Sequence, residues 1–277
     1  MRGNYERLSI EAFGAQLIET GDLDPIYIAL PKAAENWEEL YRWLVAYWCL
    51  YDAGSACYLA EHEGDAFWRL LQKAAANVEP SPLGLRWARG RERRHWRGEK
   101  AIQSAAELRS LYRWPEDMVR SFVDRAPSYG AITRHAASHQ QFGPWIAFKI
   151  ADTIDRCTKT DVDFTTDDVF MFDTPREAAV LLFEERNGPG GTDKEAIDWS
   201  VRRLAVTLGH YLAPPDYDRP VGLQEIETVL CKWKSHRNGH YPVGNDTLEI
   251  RHGLKPWTAI SDFAARFDHF MPKETNS

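Results

Sequence analysis

No apolar run approaches the roughly 20 residues that a bilayer span requires, so nothing in the 277-residue chain reads as a transmembrane helix. Cysteine is scarce. Cys49, Cys57, Cys157 and Cys231 are widely spaced and form no CxxC pair, which argues against a disulfide framework or a cysteine-rich zinc site and for reduced, mostly buried thiols. The opening MRGNYERLSIEAF lacks the apolar stretch and small-residue cleavage site of a secretory signal, so the expected location is the cytoplasm. No internal repeat is present, and no segment sustains the two-residue alternation of a half-buried strand. The expected fold class is therefore all-α.

What is present is helical punctuation. Asn36 followed by Glu39 has the N-cap and N3 spacing of a helix start, and Trp37, Leu40, Tyr41, Leu44, Tyr47, Trp48 and Tyr51 then form one wide apolar face. Asp65 is expected to cap the next helix, Thr174 to cap one with Pro175 at its first position, and Thr192 with Glu195 to form a further capping box. A helix over 221–237 should stop at Asn238-Gly239, and Pro256 should open the last helix. The final KETNS reads as a frayed tail. We expect a single helical catalytic domain over 1–277, with two lobes divided near the NGPGG turn at 187–193 as the alternative.

A net charge of −7 disfavours nucleic acid as a partner, but its distribution is uneven. Residues 1–80 hold 6 basic and 13 acidic side chains, whereas residues 81–100 hold 7 basic and 2 acidic ones. Within that basic segment Arg86, Arg89, Arg91, Arg93, Arg94 and Arg97 interleave with Trp87, His95 and Trp96, between Gly90 and Gly98. Guanidinium forks grip phosphate oxygens bidentately, and the indoles could stack on a displaced base. The plainer reading is a solvated loop that pairs with the acidic N-terminal region.

A second feature is the Gly143-Pro144 turn in QQFGPWIAFKIADTIDRC, preceded by the short helical stretch SYGAITRHAASH. Together they read as a helix-hairpin-helix, in which a helix N-terminus directs backbone N–H groups at a DNA phosphate, or as an ordinary helix corner. Downstream come Asp152, Asp155, Asp161, Asp163, Asp167, Asp168 and Asp173. A carboxylate here could serve as general base or hold a divalent cation that binds a diphosphate; each could equally be a cap or a solvated loop residue. Near the end, Lys232, Lys234, His236, Arg237 and His240 surround the turn NGHYPVG and suggest a second phosphate contact. Zinc is disfavoured there because Cys231, His236 and His240 have no second cysteine partner, so the expected metal set is none. His135 and His139, in HAASH without the metalloprotease glutamate, read as packing or capping residues.

Four blocks in order, LSIEAFGAQLIETGDLDPIYIAL, RGRERRHWRG, FGPWIAFKIAD and KWKSHRNGHYPVGND, make the chain resemble the phage amino acid:DNA transferases and the related α-glutamyl/putrescinyl thymine pyrophosphorylases of thymidine hypermodification. The resemblance implies a DNA glycosylase-like helix-hairpin-helix fold. It also implies a double-stranded DNA substrate in which 5-hydroxymethyluracil is activated as its diphosphate, and an amine donor such as glycine, another amino acid or a polyamine. No cofactor is certain under it, a divalent cation accompanying diphosphate being the one candidate, and no membrane is involved. Asp163 then stands 18 residues after Trp145, near the spacing of the essential glycosylase aspartate, with Asp152 as a second carboxylate. Trp145 occupies the position of the lysine nucleophile of bifunctional glycosylases, which leaves Lys149 as the remaining lysine. Trp87, Trp96 and Trp145 are the expected base-stacking residues. Two rivals remain: a true glycosylase that cleaves the N-glycosidic bond, and a non-catalytic DNA-binding subunit.

Overall fold

The computed structural model describes residues 5–274; residues 1–4 and the last three of the expected frayed tail lie outside them. Fifteen α-helices and no β-strand form among the described residues, in line with the all-α expectation. In chain order they begin with α1 (Ile10–Thr20), α2 (Pro25–Ala33), α3 (Trp37–Leu50), α4 (Ala53–Ala60) and α5 (Gly64–Ala76). An irregular stretch with one 3-10 turn at Arg91–Arg93 leads to α6 (Glu99–Leu111), α7 (Pro115–Val123), α8 (Tyr129–Ala137) and α9 (Pro144–Cys157). The rest comprises α10 (Thr166–Val169), α11 (Asp173–Asn187), α12 (Asp193–Leu208), α13 (Leu223–Arg237), α14 (Asn245–Leu254) and α15 (Asp262–Phe270).

The caps explain most of these boundaries. Asn36 accepts the Glu39 N–H at 2.8 Å, and Thr192 and Glu195 form the reciprocal box that starts α12. α13 ends before Gly239, whose φ of 80° needs a residue without a side chain. Three expected starts are corrected. Asp65 lies in the first turn of α5, behind Gly64, and pairs with Arg109 at 3.0 Å instead of capping. α11 begins at Asp173 with Phe172 before it, so Thr174 and Pro175 fall inside a first turn whose N–H groups lack partners anyway. Pro256 opens only a 3-10 turn, and the chain then breaks at Ile260 before Ser261 caps α15 through the Ala264 N–H.

The chain folds as two compact units, each assembled from separated segments. The first takes residues 5–28, 164–248 and 272–274. In it α1, α11, α12 and α13 pack on one another, and the turn at 187–193, offered by the sequence as a lobe boundary, joins α11 to α12 within the unit. The second takes residues 29–163 and 249–271. Its axis is α3, buried from Trp43 to Leu50 on every side and covered by α4, α7 and α9. A helix apolar all round can only lie inside, and the polar tip of each buried indole then needs an acceptor. Trp48 Nε1 donates to Thr153 Oγ1 of α9 at 2.9 Å, and Trp43 Nε1 to Cys57 Sγ of α4 at 3.2 Å.

Candidate active site

Of the basic segment, the structure makes two groups. Arg93 is buried, with Nε donating to Cys49 O at 3.1 Å and Nη1 to Gln141 O at 2.8 Å, between the rings of Phe142 and Trp96. Burial lowers its guanidinium to about 10, so it stays charged at neutral pH. Arg89 closes the end of α5, donating to the carbonyls of Ala74 and Ala75 and to Trp96 O. These two arginines are structural, a correction to their expected phosphate role, because backbone carbonyls already hold them. Arg86, Arg91, Arg94, His95 and Arg97 are exposed.

The expected stacking residues divide likewise. Trp87 and Trp96 are 4% and 1% exposed, Trp87 beside Tyr58 and Trp257, Trp96 donating from Nε1 to Ser104 Oγ at 3.3 Å. A ring enclosed on both faces has no face left for a base, so both are core residues rather than stacking platforms. Trp145 is half-buried at the start of α9 and meets Tyr51 edge-on, with ring centroids 4.8 Å apart.

Tyr51 organises this part of the second unit. As the C-cap of α3 it adopts φ 53°, turning the chain out of the helix. Gly90 of the basic segment lies against it: its N–H donates to Leu50 O at 3.0 Å, and a side chain at residue 90 would place Cβ 2.5 Å from Tyr51 O. Only glycine permits that approach. The Tyr47 ring lies against Tyr51 in a tilted arrangement, with centroids 4.4 Å apart. Burial pushes the Tyr51 hydroxyl up to about 12, against the pull of the Lys149 ammonium, and lifts Tyr47 well above its ordinary value with a contribution from Tyr51. Both phenols are therefore neutral donors at physiological pH. One turn beyond Trp145, Lys149 Nζ donates to Asp152 Oδ2 at 3.0 Å, and the Asp152 side chain is only 4% exposed. The exposed Glu92 carboxylate also acts on Tyr51 and Tyr47.

The Gly-Pro corner is real but differently built than expected. α8 and α9 pack together across a turn of residues 138–143, and its left-handed residue is Gln141 (φ 66°), while Gly143 has φ −79° and open space where a Cβ would stand. Gly143 is thus no steric requirement of the turn. It is exposed, and α9 starts behind it without a side-chain cap, so the helix N-terminus stays open to solvent. Arg93, bonded to Gln141, ties the basic segment to this corner.

The other carboxylates are mostly architectural. Asp155 accepts the Val162 N–H at 2.9 Å, Asp168 caps α10, and Asp173 pairs with Arg176. Asp163 is exposed; its N–H donates to Pro127 O at 2.8 Å in a bridge to the residue that caps α8. Asp152, not Asp163, is the carboxylate beside Lys149.

The C-terminal cluster, in the first unit, is corrected almost entirely. Lys232 Nζ donates to Asp22 O and Leu23 O, each at 2.7 Å, and pairs with Asp246 at 2.7 Å. His236 is 1% exposed, stacked on Phe13 at 4.4 Å, with Nδ1 facing Tyr241 O and Nε2 accepting the Leu8 N–H at 2.9 Å. Lys234 pairs with Glu177 and Arg237 with Glu185. His240 alone of the five is exposed. Lys232 and His236 join the 241–247 turn to α1 and the residues after it, Lys234 and Arg237 pair α13 with α11, and Asp22 is the fastener. Its buried carboxylate accepts from Tyr241 OH at 3.1 Å, Gly244 N at 2.8 Å, Thr247 N at 2.8 Å and Thr247 Oγ1 at 2.9 Å.

Sequence reasoning assigned Tyr47 and Tyr51 to an apolar helix face and gave Glu92 no role. The spacing of the two tyrosines is that of any helix stripe, and only Gly90 hinted at a backbone held close. Among the described residues no group of three or more His, Cys, Asp and Glu side chains is arranged to hold a metal ion, and no helix is long and apolar enough to cross a membrane.

Comparison with known proteins adds the chemistry. The pattern of a family described as amino acid:DNA transferase matches residues 18–240, a span that includes the basic segment, the Gly-Pro corner and α9. A protein of Pseudomonas phage PaMx11 named glycinyltransferase is 45% identical over 293 residues, covering 99% of this chain and 100% of that one. A protein of Delftia phage PhiW-14 named putrescinyltransferase is 26% identical over 253 residues, covering 88% of this chain and 77% of that one.

Proposed function

The chain belongs to the amino acid:DNA transferase family and is a transferase, and from that premise we propose that it joins an amine, glycine before other amino acids or polyamines, to 5-(diphosphooxymethyl)uracil in DNA. The names of the two phage relatives support the donor class, and the higher identity to the glycinyltransferase favours glycine. In the proposed step the amine nitrogen attacks the exocyclic methylene carbon at position 5 of the pyrimidine. The C–N bond forms as the C–O bond to diphosphate breaks, and the bonding pair leaves with diphosphate.

The observation that carries this reading is the meeting, around Tyr51, of an exposed arginine segment, an uncapped helix N-terminus and the Lys149–Asp152 pair. Exposed Arg91, Arg94 and Arg97 would take the departing diphosphate, whose charge grows on the bridging oxygen as the bond breaks. The α9 N-terminus would hold a backbone phosphate in the helix-hairpin-helix manner. The pyrimidine, turned out of the duplex, would lie against Trp145 and Tyr51. An amine is mostly protonated at neutral pH, so Asp152 is proposed to accept its proton, with Lys149 orienting that carboxylate through its hydrogen bond. Any divalent cation the reaction uses is proposed to arrive on the diphosphate.

Mass spectrometry of nucleosides, after incubation of the chain with diphosphate-activated hydroxymethyluracil DNA and a pool of amines, tests the proposal. The expected product is a thymidine bearing the amine, with diphosphate released in equal amount. Free base in place of that product would indicate a glycosylase, and an unchanged nucleoside profile with every amine would overturn the reading.

A further inference from the structure

Past the C-terminal end of α5 lies a turn to which the transfer step gives no role. Residues 81–85 close on themselves: Gly84 N donates to Ser81 O at 2.8 Å and Ser81 N to Leu85 O at 2.7 Å, with Gly84 at φ 71° and open space where a Cβ would stand. That is the closure of a three-residue hairpin loop, a turn followed by a left-handed glycine. Its stem is tied down as well, since Trp87 N donates to Asn77 Oδ1 at 3.1 Å and the Trp87 ring is buried. A turn fastened in this way holds its shape unaided. It presents Leu85 64% exposed, and Val78 at the foot of the stem is 86% exposed.

Lone exposed apolar side chains are ordinary; the surroundings set this one apart. Arg86, also exposed, follows it directly. Gly98 N donates to Ala75 O at 3.1 Å, which brings Arg97, assigned above to the diphosphate, to the same end of α5. Leu85 stands five residues before Gly90, which lies on Tyr51, so no more than about 18 Å separates the turn from the proposed pocket. A rigid apolar tip with guanidinium groups beside it matches a DNA duplex: phosphates take the charge, and the space between base steps takes the hydrocarbon. We infer that Leu85 is a wedge that enters the base stack and fills the space vacated by the everted pyrimidine, with Arg86 on an adjoining phosphate. The inference rests on the reading that the pyrimidine leaves the duplex. Leu85 is then a positioning residue, which touches none of the reacting atoms and keeps the opened stack from closing.

Fluorescence anisotropy of the full chain with two duplexes of one sequence, one intact and one with a propanediol spacer in place of a single nucleotide, is the test. Neither duplex carries an activated base and no amine is present, so the result is separate from the success or failure of the transfer chemistry. The native chain should bind the gapped duplex about tenfold tighter, because the space for the wedge is already open. Leu85→Ala should bring the two affinities within about twofold of each other, and Leu85→Met should keep the preference. Val206→Ala, which removes a still more exposed apolar side chain elsewhere, should change nothing. Arg86→Gln should weaken both duplexes alike and lower the salt slope while keeping the preference. Thermal melting checks that each variant folds. No binding, no preference in the native chain, a preference that survives Leu85→Ala, or an equal loss for both duplexes in that variant would overturn the inference. So would a changed oligomeric state of Leu85→Ala on sedimentation, which would make the turn a contact between copies of the chain.

Discussion

Replacing Arg93 by methionine should unfold the protein more easily while leaving most of its grip on DNA, whereas replacing Arg91, Arg94 or Arg97 by glutamine should do the reverse. Arg93 makes two hydrogen bonds to backbone carbonyls, a buried one to Cys49 O at 3.1 Å and a part-buried one to Gln141 O at 2.8 Å. Each bond from a charged donor contributes about 1.5–3 kcal/mol. Part of that is offset, because methionine removes a desolvated charge whose Nη2 has no partner. A net loss of about 2–3 kcal/mol remains, which for a chain of this size lowers the melting temperature by about 3–5 °C. The exposed arginines contribute within about 0.5 kcal/mol to stability. Each that neutralises a phosphate should instead reduce the slope of log affinity against log salt by about 0.9. Near-ultraviolet circular dichroism on heating and fluorescence anisotropy over a salt series measure the two quantities. If Arg93→Met lowered the salt slope while shifting melting by less than about 2 °C, Arg93 would be a phosphate ligand and the division of the cluster drawn here would be wrong.

Asp152→Asn should reduce amine transfer by about 10²–10⁴-fold, while Asp163→Asn, at an exposed bridge position, leaves it within a few-fold; equal losses in both would remove Asp152 from its proposed role. Asp22→Ala leaves three backbone or hydroxyl donors and Tyr241 without their acceptor, and should cost about 4 kcal/mol or more; urea unfolding within about 1 kcal/mol of the native chain would contradict the fastening role. His135 faces Ser121 and Tyr112, and burial, with Arg125 and His139 nearby, lowers it to about 4. Its neutral form is favoured by folding, so the stability it confers is complete above about pH 6.5 and is lost as pH falls toward 4. Melting temperatures over that window should fall more steeply for the native chain than for His135→Gln, and parallel curves would refute the assignment.

How far the sequence could be read depended on whether a feature was local. Asn36 with Glu39 and Thr192 with Glu195 fix their helix starts through bonds spanning three residues, and both were legible. Asp65 failed because Gly64, pressed under Trp114 of the α6–α7 connection, takes the first helical position. The arginine cluster was visible as composition, but which guanidiniums turn inward depends on Cys49, Ala74 and Gln141, all distant in sequence. Lys232 and His236 looked like part of a phosphate site for the same reason: their partners, Asp22, Phe13 and Leu8, lie more than 200 residues upstream. Tyr51 reads as one more apolar position on α3 until Gly90 is seen against its backbone.

Asp22 sits in the first tenth of the chain, but the groups that saturate it end at Thr247. On a translating ribosome, at about 5–20 residues per second, the N-terminal helix waits on the order of ten to forty seconds for that partner. The whole of residues 29–163 is synthesised in the interval, and the second unit itself lacks residues 249–271 until after the first unit's 164–248 has been made. A stop before residue 249 therefore leaves both units incomplete, and neither unit is one contiguous stretch of the chain.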